Sequence, residues 1–160
     1  MEGAHAAAGP AWAALIEHSA LGQALRNSLW LFPAVETLHI MGFALLVGAI
    51  VTFDLRVIGA AADLDLRRWQ RAVLPVVRAG FLLAVPMGLL LFATEATAYA
   101  RNPAFRLKLL LIVLALANVG LFHRLARGRP WVSPGLRLAA GASLLLWLLV
   151  LTMGRLIAYV

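Results

Sequence analysis

Glu36 and His39 lie one helical turn apart in residues 33–40 (PAVETLHI), inside a long apolar stretch. Ionisable side chains in membrane hydrocarbon are costly unless they are paired, act as ligands or face a cavity, so by default they indicate a functional site. A neutral imidazole is the most common metal ligand in proteins and a frequent axial ligand of haem iron. The alternative is a core histidine that hydrogen bonds to Glu36 or to a carbonyl of a neighbouring helix.

The composition indicates the elements that position this pair. The 160 residues are 63% hydrophobic and 13% charged, with a mean hydropathy of +0.90, whereas soluble domains are only about 45–50% apolar. Four stretches are long enough to span a bilayer. An interfacial helix is predicted before them, because apolar residues recur there at helical spacing: Trp12, Leu15, Ile16, Leu21 and Leu25. We therefore predict an all-α membrane protein: one transmembrane domain (1–160) forming a four-helix bundle with a short N-terminal interfacial helix. The predicted ranges are 11–27 for the interfacial helix and 29–53, 72–94, 107–122 and 136–157 for the spans.

The basic residues predict the orientation. The net charge is +7, and arginines cluster after the first and third spans, which places these loops in the cytoplasm and both termini outside. We expect a multi-pass protein of the bacterial inner membrane with no nucleic-acid partner, since nucleic-acid binding would leave this sorting unexplained. The chain has no cysteine, which excludes disulfides and iron–sulfur clusters. The first residues lack the basic region of a cleaved signal peptide, so we expect them to be retained.

This topology sorts the polar residues of the spans into two layers. The outer layer contains Glu36, His39, Glu95, Lys108 and Arg155; the inner layer contains Asp54, Arg56, Arg78, His123 and Arg124. We expect Asp54 to pair with an arginine at the cytoplasmic boundary. The helical rise places His39 about 9 Å and His123 about 25 Å below the outer boundary, so the two histidines should not bind one haem together.

Three further residues carry expectations. Lys108 either turns inward toward His39 or extends to the lipid headgroups, and extension is the usual behaviour of such a lysine. Pro86 predicts a kink in the second span. Asn118 lies deep in the third span and needs a hydrogen-bond partner there.

Two segments resemble a known family. Residues 105–118 (FRLKLLLIVLALAN) resemble the lysine-led span of the HemJ-type protoporphyrinogen oxidases, and residues 38–40 (LHI) with Gly48 and residues 54–56 (DLR) resemble that family's histidine-bearing first span. CopD-type copper-resistance membrane domains are similar. A fuller pattern resembles a bacterial family of four-helix membrane proteins of unknown function. It consists of residues 28–30 (SLW), Pro33, residues 36–39 (ETLH) and residues 54–56.

The resemblance to HemJ implies a haem b site. In that family the histidine and the lysine are implicated in haem binding, and they match His39 and Lys108. Asn118 and Val119 stand where the HemJ pattern continues into a histidine, so the resemblance leaves enzymatic activity open.

Three functions remain open from the sequence. The first is a haem b protein for electron transfer or quinone-linked redox chemistry, with a redox partner or quinone besides the lipid bilayer; its cofactor-binding residues would be His39, Lys108, Glu36 and Arg155. The second is a copper-type metal transport or handling protein with His39 as metal ligand, helped by Glu36 and by methionines (Met41, Met87 or Met153). The third is a structural or assembly subunit. The sequence also leaves the oligomeric state open, a homo-oligomer included.

Overall fold

A computed structural model describes residues 9–60, 62–127 and 133–160. These residues form seven helices and no strand: α1 (Ala11–Glu17), α2 (Ala20–Asn27), α3 (Leu31–Ile58), α4 (Leu66–Thr94), α5 (Ala96–Arg101), α6 (Pro103–Ala126) and α7 (Pro134–Leu156). Helices α3, α4, α6 and α7 are long and apolar enough to cross a membrane. The predicted four-helix membrane bundle is confirmed, and the helices run further than the predicted spans at several ends.

Local sequence signals set the ends of the long helices. The side chains of Asp65 and Asn102 accept hydrogen bonds from backbone amides in the first turns of α4 and α6, and Ser133 does so for α7. Such N-caps satisfy amides that have no partner within the helix. Helix α3 ends at Gly59, whose φ of 129° is accessible mainly to glycine.

The N-terminal segment forms two helices where one was predicted. The chain breaks between α1 and α2 because Ser19 is extended and its hydroxyl accepts a hydrogen bond from the Gly22 amide (3.2 Å), which caps α2. Trp12, Leu15 and Leu21 expose their side chains. This apolar surface suits a position at the membrane interface.

The bundle consists of two tightly packed antiparallel pairs, α3 with α4 and α6 with α7, which meet through α3 and α7. A buried cluster joins α3, α6 and α7: Leu46, Val47, Leu111, Ala115, Trp147 and Val150. A smaller cluster of Val57, Leu136 and Ala140 lies further along α3. We call the end of the bundle where α3 begins the His39 end, and the end where α3 finishes the Asp54 end.

Helices α3 and α4 approach each other through small residues. A Cβ atom on Gly80 would lie 2.5 Å from the Leu46 amide nitrogen, and one on Gly42 would lie 2.6 Å from the Ala84 amide nitrogen. Glycine and alanine at such a crossing let two backbones come into contact. Helix α4 is continuous through Pro75 and Pro86.

Candidate cofactor site at the His39 end

His39 is held by a neighbouring helix. Its Nδ1 lies 2.8 Å from the carbonyl oxygen of Ala84 on α4. A carbonyl only accepts hydrogen bonds, so Nδ1 carries the ring proton and Nε2 keeps a free lone pair. Nε2 has no hydrogen-bond partner among the described residues, and histidines that bind metals are commonly fixed in this way through the other nitrogen.

The bond depends on the close α3–α4 crossing. A Cβ atom on Gly88 would lie 2.9 Å from Cε1 of His39 and 3.2 Å from its Nδ1, so only glycine leaves room for the ring. Gly80, Ala84 and Gly88 follow one another at intervals of four residues and therefore form one small-residue stripe on α4. Gly88 and Ala84 are not among the site residues predicted from the sequence; this spacing is the signal that identifies them.

His39 and Lys108 line the same cleft. It has a volume of about 360 Å³ and lies between α3, α6 and α7, and its other lining residues include Phe43, Gly48 and Gly154. Lys108 Nζ lies 6.0 Å from the centroid of the Phe43 ring, within the range of a cation–π interaction. A Cβ atom on Gly154 would lie 3.2 Å from Nζ, so glycine gives the lysine room. Lys108 therefore turns inward instead of extending along the helix to the headgroups.

Glu36 and Arg155 do not line the cleft. Glu36 is exposed, one turn nearer the end of α3 than His39, and it acts instead on Tyr99 of α5. Burial raises the pKa of Tyr99, and the carboxylates of Glu95 and Glu36 raise it further. Arg155 is exposed and donates a hydrogen bond to the hydroxyl of Tyr159. It follows Gly154, which lines the cleft, by one position, so its side chain leaves α7 about 100° away from the cleft. Of the four predicted cofactor-binding residues, the structure brings His39 and Lys108 together.

The other histidines lie away from this cleft. His123 is exposed near the Asp54 end of α6, where its Nδ1 lies 2.8 Å from the Val119 carbonyl of the same helix. His18 is exposed at the end of α1, and His5 lies outside the described residues. Asn118 finds its partner on α7, donating to the Ala139 carbonyl (2.9 Å).

Among the described residues Asp54 does not form the expected ion pair with an arginine; an ion pair is seen instead between Arg26 and Glu17. Asp54 is 4% exposed, because its side chain points between the helices toward Ser143 and not along α3 to the membrane boundary. Arg56 binds the backbone carbonyls of Leu64 and Ala62.

The described residues do not form a cluster of the side chains that most often bind metal ions. No group of three or more histidine, cysteine, aspartate or glutamate side chains comes together among residues 9–60, 62–127 and 133–160. Met41 is exposed on the outside of α3. A haem site needs only one or two protein ligands to the iron.

Comparisons with known proteins found no matching protein-family model, no matching curated protein and no matching solved structure. The resemblance to HemJ-type and CopD-type proteins therefore stays a prediction that depends on the quoted segments alone.

Proposed function

We propose that this protein binds haem b at the cleft between α3, α6 and α7, where His39 Nε2 would bind the haem iron, and that it serves electron transfer or quinone-linked redox chemistry. The observation that carries the proposal is the hydrogen bond from His39 Nδ1 to Ala84, which leaves Nε2 free in a ring that lines the cleft. The same bond would occur in a purely structural histidine. What distinguishes the site is that a second, cationic side chain lines the same cleft.

The residues present fit the chemistry of a haem. The cleft volume of about 360 Å³ lies near the lower end of the range of about 300–1,000 Å³ for ligand sites. Its lining is mostly apolar, with small residues at Ala44, Gly48 and Gly154 that leave room for a flat ligand. When bound, haem iron supplies one-electron redox chemistry.

Each side chain of this site has a defined task in the proposal. His39 provides the ligand nitrogen, and the Ala84 carbonyl fixes the ring orientation and tautomer. Phe43 packs beside both His39 and Lys108. Lys108 would place a positive charge, or an amine lone pair, in the cleft, where it would pair with a haem propionate or bind the iron.

The surroundings of the cleft favour a lipophilic reaction partner. Ile40 and Leu151 line the cleft and are 60% and 44% exposed, so the site opens to the surface that lipid would cover. A quinone dissolved in the bilayer can approach by this route. The distribution of arginines supports a location in the bacterial inner membrane with both termini outside.

Absorption spectroscopy tests the proposal. The protein is expressed with added haem precursor, and wild type, His39→Ala and His123→Ala are purified in the same detergent. We expect a Soret band in wild type and in His123→Ala, whose histidine is exposed at the other end of α6, and none in His39→Ala. Circular dichroism of the three samples shows whether each is folded.

Either of two results would overturn the proposal: a haem-supplied wild type without Soret absorbance, or a His39→Ala variant that keeps the wild-type spectrum. Metal analysis of the same samples tests the copper-type alternative. Bound metal that His39→Ala abolishes, in protein lacking a Soret band, would favour metal handling.

A further inference from the structure

A second polar site lies at the Asp54 end of the bundle. Asp54 is 4% exposed within the membrane-spanning helix α3. Its Oδ2 atom is buried and has no hydrogen-bond partner among the described residues. Asp54 is therefore a carboxyl group in the interior of the bundle with no cation paired to it among the described residues.

Helix α7 packs a hydroxyl group, and no charged group, against Asp54. Ser143 of α7 is buried, 6% exposed, and its hydroxyl is within hydrogen-bonding reach of the Asp54 carboxyl. On the elements packed around this part of α3, the titratable side chains at this end occupy exposed positions: Arg67, Arg68, Arg71 and Arg78 of α4, His123 and Arg124 of α6, and Arg137 of α7. Arg56 of α3 itself is engaged by the carbonyls of Leu64 and Ala62.

These surroundings decide the charge of the carboxyl. Removing an unpaired carboxylate from water is far more costly than burying a neutral acid that shares a hydrogen bond. A carboxyl group inside a membrane bundle without a counter-ion therefore keeps its proton. Intramembrane acids of this kind commonly belong to proton-conducting or ion-conducting sites.

We propose that Asp54 and Ser143 form a proton-binding site between α3 and α7. The carboxyl of Asp54 holds the proton at neutral pH, and the hydroxyl of Ser143 is its hydrogen-bond partner. The reaction is the reversible addition of one proton to one carboxylate oxygen of Asp54. The proton comes from the water at the end of α3, which finishes at Ile58, four residues after Asp54.

One further buried polar group lies between the site and the cleft. Trp147 lies one turn from Ser143 on α7, its Nε1 is buried without a hydrogen-bond partner among the described residues, and its ring packs edge-on against Phe43 of the cleft. The polar atoms of the α3–α7 interface therefore extend from Asp54 toward the His39 end. The proton site does not depend on the haem proposal, because it is defined by Asp54 and Ser143 alone.

Infrared spectroscopy of protein labelled with ¹³C at the aspartate carboxyl tests this proposal. The sequence contains three aspartates, and the other two, Asp63 and Asp65, are exposed. At neutral pH in lipid, we expect one C=O stretching band of a protonated aspartate. Asp54→Asn should remove the band, the matched surface variant Asp63→Asn should leave it, and Ser143→Ala should shift it because the carboxyl loses its partner.

Four results would overturn the assignment. A wild type without the protonated band would mean that Asp54 is ionised and paired. A band that survives Asp54→Asn would belong to another residue, and a band that disappears when sodium chloride is added would indicate a cation site. A band that Ser143→Ala leaves unshifted would remove Ser143 from the site. The measurement needs no haem, so its outcome is separate from that of the Soret experiment.

Discussion

The substitution Gly88→Ala separates positioning of His39 from general stability. The new Cβ would lie 2.9 Å from Cε1 of His39, whereas ordinary van der Waals contacts begin at 3.4 Å, so the ring must move by about 0.5 Å. The same shift along the hydrogen bond would lengthen the 2.8 Å contact between Nδ1 and the Ala84 oxygen to about 3.3 Å, beyond the usual range.

The expected stability change is small because two effects oppose each other. Losing a neutral hydrogen bond costs about 0.5–1.5 kcal/mol. Replacing glycine by alanine within a helix gains about 0.8–1.0 kcal/mol. The free energy of unfolding should therefore stay within about 1 kcal/mol of wild type. Haem affinity should fall by about 10–100-fold, as is typical when a partner that orients a metal ligand is lost.

Haem titration followed by Soret absorbance measures the affinity, and thermal unfolding in the same detergent measures stability. Gly120→Ala is the matched control, since a Cβ atom there meets nothing within 4 Å, and it should bind haem as wild type does. Nitrogen-15 NMR of labelled histidine reports the His39 tautomer without haem. Wild-type haem affinity together with an unchanged Nδ1–H signal in Gly88→Ala would refute the argument that Gly88 positions the ring.

Three further substitutions test the close α3–α4 crossing and two groups of hydrogen bonds outside the cleft. Gly80→Ala should destabilise the fold by about 1–3 kcal/mol, because its Cβ would meet backbone atoms 2.5 Å and 2.8 Å away that cannot move aside; unfolding by denaturant beside Gly120→Ala measures this. The pKa of Glu17 is lowered from 4.5 to about 2, mainly by hydrogen bonds from Thr97 and to a smaller extent by the Arg26 guanidinium. The carboxylate of Glu17 therefore stabilises the fold fully above pH 4.5, and this stabilisation is lost as the pH falls toward 2. Glu17→Gln should remove that part of the pH dependence of the melting temperature and cost about 2 kcal/mol at neutral pH; an unchanged acid profile would contradict this. The Asn102 side chain accepts a hydrogen bond from the Phe105 amide and donates to the backbone oxygens of Ile157 and Val160. Asn102→Asp keeps the helix cap but loses the donated bonds, so the free energy of unfolding should fall by about 1–3 kcal/mol and hydrogen exchange at the end of α7 should become faster. A wild-type melting temperature would show that the donated bonds contribute nothing.

Hydropathy alone predicted the fold, because only long apolar helices suit a chain of this composition in a bilayer. The break at Ser19 could have been predicted too, since serine is a preferred N-cap. Which polar residues meet depends on helix rotation and on the direction of each side chain, and the sequence specifies these only weakly. Glu36 shares a helical face with His39 yet lies beyond the cleft. For Lys108 the sequence favoured extension to the lipid headgroups, whereas the space beside Gly154 lets the side chain turn inward.

The two polar sites occupy opposite ends of one interface. His39 and Asp54 are fifteen residues apart on α3, about 22 Å at the rise of an α-helix, and the cluster around Leu46 and Val47 separates them. A proton cannot cross that apolar stretch in one step, and the buried indole N–H of Trp147 between the ends donates hydrogen bonds but cannot accept a proton. Coupling a proton taken up at Asp54 to redox chemistry at His39 would therefore need water to enter along α7. Trp147→Phe removes the N–H that would donate to such a water and keeps most of the ring's volume. Slower proton uptake with an unchanged melting temperature would show that water at the interface between α3 and α7 carries protons, whereas a change in melting temperature alone would show that Trp147 only packs the helices.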